Sequence, residues 1–284
     1  MKITKFEFGD EMGEVIGAYE GMPEKSYRDA KGISRSDFAK FVEELSGSPA
    51  TYIAPNRLKQ YDTKKEDALV IGTAVHALSM GFEFDFKAYP DVFKATTETG
   101  RKNQMIAEGC AESLKSCQMF HDITASAYKE VSVFVKDPLS GLTLKARFDL
   151  LIADEATNSH KVYDIKTCQS VSDKDLSESA WDFGYWLQQA WYLYVLELAA
   201  GKPLSFQGEL GQQDYYNHFE FIAVEKSHPF PVVFYKLSDE AMDMGCKVIA
   251  RDLPKLRDCI NSGVYHPAKK IISMPAWAKI KEEK

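Results

Sequence analysis

Three stretches of alternating apolar and polar residues, 129–136, 142–153 and 161–166, follow one another with only a turn and a short polar loop between them. Alternation at period two puts successive side chains on opposite faces of a strand, and connections this short join antiparallel neighbours, so the run predicts a three-strand meander. Asp137-Pro-Leu-Ser-Gly141 reads as the first turn and residues 154–160 as the second connection. On the middle strand Leu142, Leu144, Ala146 and Phe148 form an apolar set, which leaves Thr143, Lys145, Arg147 and Asp149 on the other face. Asp149 therefore sits among charged residues, where a cation can be held.

The third strand carries Asp164-Ile-Lys166. Asp164 and Lys166 share a face about 6.6–6.8 Å apart along the strand, with Ile165 on the opposite face. Antiparallel pairing can bring Asp149 close to Asp164. Two carboxylates, with the Ile165 carbonyl as a third ligand, suit a hard divalent cation, and an ammonium beside them can orient a water or offset charge on a phosphoryl group. The constellation predicts metal-dependent phosphodiester cleavage. Taken alone, Asp-x-Lys reads as a surface ion pair on a strand, because such tripeptides are common; the strands around it supply the other reading.

Helical spacing surrounds the meander. From about Leu176 to Ala199, Trp181, Tyr185, Gln188, Tyr192 and Leu196 recur three or four residues apart, and Gly201 supplies a stop. Gln188 and Tyr192 share one face, either as part of an aromatic core stripe with one surface glutamine or as a pair orienting a lysine, a phosphate or a base. Upstream, Ser34 and Asp37 predict a capping box opening a helix to about Leu45, broken by Ser48-Pro49. A second helix from Asp67 to Met80 carries His76, residues 81–100 read as loop, and 102–117 as helix. Downstream come a polar connection over 201–217, strands at 218–225 and 231–237, a helix over 239–262 and an extended Pro267-to-Pro275 tail. By itself, His76 on an apolar helix reads as a hydrogen-bonded core histidine, and Glu130 as a solvated glutamate at a strand start.

The order Gly72-Thr-Ala-Val-His76, Glu130, Arg147-Phe-Asp149, Asp164-Ile-Lys166-Thr167 and Gln188-Gln-Ala-Trp-Tyr192 resembles the PD-(D/E)xK nuclease superfamily, and within it the exonuclease VIII branch. RecB-type nucleases and lambda exonuclease are more distant relatives in that comparison. Ile33-Ser-Arg-Ser-Asp-Phe-Ala-Lys40, Phe221-Ile-Ala-Val-Glu225 and Met274-Pro-Ala-Trp-Ala278 extend the resemblance over roughly residues 27–280. It implies an α/β fold, a central mixed sheet flanked by helices, in a nuclease domain spanning 27–284 behind an acidic segment, 1–26. It also implies that His76, Glu130, Asp149, Asp164 and Ile165 hold Mg²⁺, with Mn²⁺ as a substitute, and that Asp149, Asp164, Lys166, Gln188 and Tyr192 serve catalysis. The activity implied is 5′→3′ degradation of linear double-stranded DNA, leaving 3′ overhangs for recombination. A ring-shaped trimer or tetramer and a phage-type single-strand annealing partner are implied as well. Phe148 stands where the family usually has proline, and Asp164 where it usually has glutamate. Another nuclease of the superfamily, a single-strand exonuclease or structure-specific endonuclease, and a non-enzymatic DNA-binding assembly protein are the alternatives.

Composition sets the outer limits. The chain has 284 residues, 45% of them hydrophobic, enough for one sizeable core. No apolar run approaches the roughly 20 residues of a membrane span, and the N-terminus lacks the apolar stretch of a secretion signal, which predicts a cytoplasmic protein. Five cysteines without C-x-x-C spacing argue against zinc, a disulfide framework or an iron–sulfur cluster. The net charge of −7 is unevenly spread: residues 1–24 carry six acids against Lys2 and Lys5, while 247–284 carry nine Lys/Arg against four acids. DNA contact is expected from local basic rims such as Arg57, Lys59, Lys64, Lys65, Arg101 and Lys102.

Overall fold

The computed structural model describes residues 1–6, 15–57, 67–154, 159–201 and 217–264. Among these, eight strands form one mixed sheet: β1 (Ile3–Lys5), β2 (Gly17–Glu20), β3 (Ile33–Ser34), β4 (Tyr128–Lys136), β5 (Thr143–Asp154), β6 (Ser159–Cys168), β7 (Asn217–Glu225) and β8 (Val232–Tyr235). The helices are α1 (Glu24–Asp29), α2 (Arg35–Ala39), α3 (Pro49–Arg57), α4 (Asp67–Ser79), α5 (Glu98–Ser116), α6 (Gln118–Ser126), α7 (Asp173–Asp182), α8 (Tyr185–Ala199) and α9 (Asp239–Ser262). The predicted α/β architecture, a central mixed sheet flanked by helices, is the one observed.

The meander is present as β4-β5-β6, antiparallel throughout, and β7 then joins β6 in parallel after the crossover through α7 and α8. β1 and β2, from the segment set apart by its charge, lengthen the sheet beyond β4; four of that segment's acids, within residues 7–14, lie outside the described residues. Two large apolar clusters cover the sheet, besides a small one of Met22, Ala30 and Phe134. One joins Leu144, Ala146, Phe148, Val162 and Phe221 to α8 and α9, and the other joins Leu150, Ile165, Ile222 and Val224 to α4 and α5.

α8 is buried on nearly every side, with Trp186, Leu187, Ala190, Trp191, Leu193 and Leu196 all inside, because it lies between the sheet and α9. Gly245 on α9 makes that approach feasible: a Cβ there would fall 2.7 Å from the Trp186 carbonyl oxygen and 2.5 Å from the Ala190 Cβ. The amphipathic pattern over 239–262 is observed as α9, Asp239–Ser262.

Several local expectations change. The helix expected as one piece from Leu176 to Ala199 is two, because Gly184 takes the left-handed conformation at φ 63° and turns the chain between α7 and α8. The Ser34–Asp37 capping box is present, yet α2 ends at Ala39, with a 3₁₀ turn at Glu43–Leu45. Ser48-Pro49 opens a helix instead of only ending one: Ser48 Oγ accepts from Thr51 N–H at 3.0 Å, and proline needs no partner in a first turn. Residues 81–100 are held by packed rings, Phe84 stacked on Tyr89 at 5.3 Å and Phe86 edge-on to Phe93 at 4.9 Å, which helical or strand periodicity does not reveal. Most of the polar 201–217 connection, the Pro267-to-Pro275 tail and Lys59, Lys64 and Lys65 lie outside the described residues; Arg101 and Lys102 are exposed on α5.

The β4–β5 turn is pinned from below. Asp137 is buried; its Oδ1 accepts from Tyr194 Oη at 2.5 Å, and its Oδ2 accepts from Ser140 N–H at 2.8 Å and from the Ser140 hydroxyl. Asp137→Ala removes all three bonds from a buried site and is expected to cost about 2–4 kcal/mol. Urea unfolding should show a lower midpoint at unchanged slope, and a midpoint equal to wild type would refute this role for the turn.

Candidate active site

The meander opens where its chemistry is. β5 and β6 pair from Asp154↔Ser159 as far as Leu150↔Tyr163; beyond that point β6 continues only with β7. The same edge of β5 is taken up again by β3 at Leu144 and Lys145, leaving 146–149 facing a gap. Asp149 spans it, its Oδ2 accepting the Ile165 N–H at 2.8 Å in place of a ladder bond. The alternation of β5 also changes phase here: Phe148 packs with α8 and Leu150 with α4. Opposite Asp149, in the register set by Lys129↔Leu150 and Val131↔Phe148, Glu130 has φ 52°, a conformation L-residues adopt at a cost.

Three side chains converge on the α4 side of the gap. His76, Glu130 and Asp149 place ligand atoms within 4.8 Å of one another, with His76 Nδ1 3.4 Å from Asp149 Oδ2. Arg147 Nε donates to Glu130 Oε2, fixing that carboxylate from the side. α4 reaches the sheet through fully buried Ala74. A Cβ on Gly72 would be in ordinary contact with Thr167, so Gly72 is convenient for this approach, not essential. Two carboxylates and one imidazole are a donor set that fits a divalent cation, and the imidazole suits Mn²⁺ better than Ca²⁺.

Asp164 and Lys166 point the other way, toward α8, as their shared face requires. Asp164 is buried; its Oδ1 accepts from Gln188 Nε2 at 2.5 Å and its Oδ2 meets Lys166 Nζ. Gln188 is buried and is not a surface glutamine. Lys166 Nζ also lies over the Tyr185 ring, 4.9 Å from its centroid, and 5.8 Å from that of Phe221. Tyr192, one turn beyond Gln188, packs edge-on against Phe148 and Phe219, and burial together with the Asp164 charge keeps its hydroxyl protonated. Ile165 enters the site through its backbone, its side chain being fully buried on the α4 side. The residues expected at the site are thus near one another in two groups, His76–Glu130–Asp149 and Asp164–Lys166–Gln188–Tyr192, joined through the Asp149–Ile165 bond.

Charge coupling across the gap is strong. Burial opposes protonation of His76, but the Asp149 charge and hydrogen bond outweigh it and raise the imidazole to about 9. Burial pushes Asp149 upward, and its pairing with His76 more than reverses that. Glu130 and Asp164 are both raised, chiefly by burial and also by the Asp149 charge, against the opposing pull of Arg147 and Lys166 respectively.

The His76–Asp149 pair has a definite pH signature. A histidine raised from 6.5 to about 9 stabilises the fold fully below pH 6.5 and loses that contribution as pH rises through 9; the depressed Asp149 contributes above its unfolded value and loses it only in acid. In chelator, thermal stability should therefore fall between pH 6.5 and 9. A cation entering this site displaces the imidazole proton, so Mn²⁺ titrated calorimetrically at about pH 7.5 in buffers of different ionisation heat should release about one proton. His76→Ala should abolish that release and raise the Mn²⁺ needed for half-maximal activity; proton-free binding by wild type would return His76 to a core role.

Two arginines at the site carry roles that their sequence neighbours do not disclose. Arg35, at the start of α2, donates through its Nη2 to the carbonyls of Phe183 and Gly184, and burial lowers its pKa against the raising effect of Tyr192 and Asp164. Arg147 is visible in the chain only as part of Arg-Phe-Asp; its bond to Glu130 depends on the register of β4 against β5, which no single strand reveals.

Against this geometry, the profile of a family described as a PDDEXK-like domain of unknown function (DUF3799) matches residues 34–269. Among solved structures, a presumptive exonuclease from Eubacterium rectale superposes with a TM-score of 0.62 at 17% identity, covering 86% of this chain and 91% of that one. No curated protein sequence matches. At that identity the structural likeness speaks to the fold, and the residues of the gap must carry the chemistry.

Proposed function

Because the chain belongs to the PDDEXK-like family DUF3799, and its fold is that of a nuclease, we propose that it is a metal-dependent exodeoxyribonuclease acting on the ends of linear double-stranded DNA. The observation that carries the reading is the meeting of a three-ligand group, His76, Glu130 and Asp149, with Asp164 and Lys166 across a gap in the sheet. Bound by these carboxylates, a divalent cation supplies positive charge for the phosphoryl oxygens and a more acidic water.

The chain's own residues divide the remaining work. Asp149 holds the Ile165 backbone and, with Glu130 and His76, forms the ligand cradle. Gln188 fixes Asp164, and Asp164 fixes Lys166, so the ammonium is oriented before substrate arrives. Lys166 orients the attacking water or, once it has passed its own proton to the paired Asp164, takes the water's proton, while the protonated Tyr192 hydroxyl remains a donor on the same side. Mg²⁺ is the proposed physiological cation, with Mn²⁺ substituting through His76.

The 5′→3′ polarity, the 3′ overhang for recombination, a ring-shaped homo-oligomer and an annealing partner follow from the exonuclease VIII resemblance and complete the proposal. A cytoplasmic location is proposed with them; among the described residues no helix is long and apolar enough to cross a membrane. Linear and circular duplexes labelled at either end, incubated with and without Mg²⁺, test the reading. Nucleotide release from linear duplex beginning at the 5′ end is expected, and cleavage of the circle or metal-independent release would refute it.

A further inference from the structure

The elbow between α7 and α8 leaves two large rings in solvent beside the site: Trp181 is 53% exposed and Phe183 62%. Each backs onto an inner ring. Trp181 stacks on buried Trp186 with centroids 6.0 Å apart, and Phe183 lies 5.9 Å from Tyr185 with the planes 32° apart. Tyr185 is the ring over which Lys166 Nζ sits. Phe183 and Tyr185 therefore form a line of rings from Lys166 to open solvent, with the Trp181–Trp186 pair at the other end of the elbow.

The turn that presents these rings is held firmly. Gly184 has φ 63°, and a Cβ there would meet Leu45 at 2.7 Å and Arg35 at 2.8 Å, so the elbow is closed on its inner side. Arg35 donates to both carbonyls of the turn. Rings fixed in advance lose little freedom when a partner stacks on them. α7 carries Asp173, Asp175, Glu178 and Asp182 against Lys174 and so holds phosphates away from this helix, which leaves the uncharged π-faces as the means of contact here.

We propose that Trp181 and Phe183 form a stacking platform for nucleobases of the strand whose phosphodiester lies at Asp164 and Lys166. The platform rests on the reading of the site as a DNA phosphodiesterase and deepens it, because aromatic stacking accepts every base and suits an enzyme that must advance through any sequence. It also predicts that bases next to the cleaved bond are unpaired when bound.

The test compares wild type, Trp181→Ala and Phe183→Ala, both at exposed positions, by fluorescence anisotropy in EDTA with labelled dodecameric oligothymidylate and an abasic oligomer of the same length. Each variant should bind oligothymidylate on the order of tenfold more weakly, the effect of one lost stack, and bind the abasic oligomer as wild type does. Oligothymidylate should quench wild-type tryptophan fluorescence, and Trp181→Ala should lose most of that quenching. Failure of wild type to bind oligothymidylate, unchanged binding by both variants, or equal losses on both oligomers would overturn the platform. So would altered sedimentation of the variants with unchanged DNA binding, which would identify a self-association face. Base-dependent losses in a protein that releases no nucleotides with Mg²⁺ or Mn²⁺ would sustain the platform and refute the hydrolase reading; active hydrolysis with indifferent variants would do the reverse.

Discussion

Asp149→Asn is expected to keep the fold and lose hydrolysis by roughly 10³-fold or more, the scale on which one charge-stabilising group counts in a water-excluded site. The amide oxygen can still accept the Ile165 N–H, so the bridge across the β5–β6 gap survives while the ligand charge does not. His76 loses the carboxylate that keeps it protonated, and Glu130 and Asp164 lose a like charge, so the electrostatic changes partly offset. Asp149→Ala also deletes the bridge and should show the same loss of activity with a lower melting temperature. The check pairs nucleotide release with thermal melting in Mn²⁺ and in chelator: wild type should gain stability with Mn²⁺ and Asp149→Asn should not. Substantial metal-dependent turnover by Asp149→Asn would refute the cradle. Asp164→Ala should be comparably inactive, since it removes the group against which Lys166 is oriented.

Lys166→Ala is expected to cost roughly 10²-fold or more in turnover, because positioned proton-transfer groups typically contribute about 10²–10⁴-fold, while Mn²⁺ affinity stays within a few-fold of wild type. Lys166→Arg should not rescue it. The ammonium occupies a narrow position between the Asp164 carboxylate and the faces of Tyr185 and Phe221, where a planar guanidinium needs more room and cannot give up a proton to serve as a base. Single-turnover hydrolysis beside calorimetric Mn²⁺ binding separates the two effects. A nearly active arginine variant would mean that positive charge alone is required at this position.

Asp149 and Lys166 are legible in the amino-acid sequence because strand alternation is local. Period two places Asp164 and Lys166 on one face and Asp149 among charged neighbours, and the short connections make β5 and β6 partners. Gln188 is legible only in part: its helical spacing from Tyr192 is plain, but the burial of its amide against Asp164 depends on where α8 lies over the sheet. The reach of a helix signal through Trp181, Tyr185 and Gln188 hides the elbow at Gly184, because the residue period continues across a turn that the backbone makes.

Neighbours a few positions apart suffice to dictate the meander, the capping box at Ser34, the helix over 239–262 and the residue types of the candidate site, so all of these can be read along the chain. Packing of the layers settles the rest. It sets where β5 and β6 part, after Leu150↔Tyr163, and it holds Glu130 at φ 52° opposite Asp149, secured by Arg147. It brings His76 on α4 to Asp149, and Arg35 to the α7–α8 turn from 149 residues before Gly184. Each of these contacts draws on burial and charge contributed by segments distant in the chain, and local periodicity carries no record of which distant segment will arrive or at what depth it will be buried.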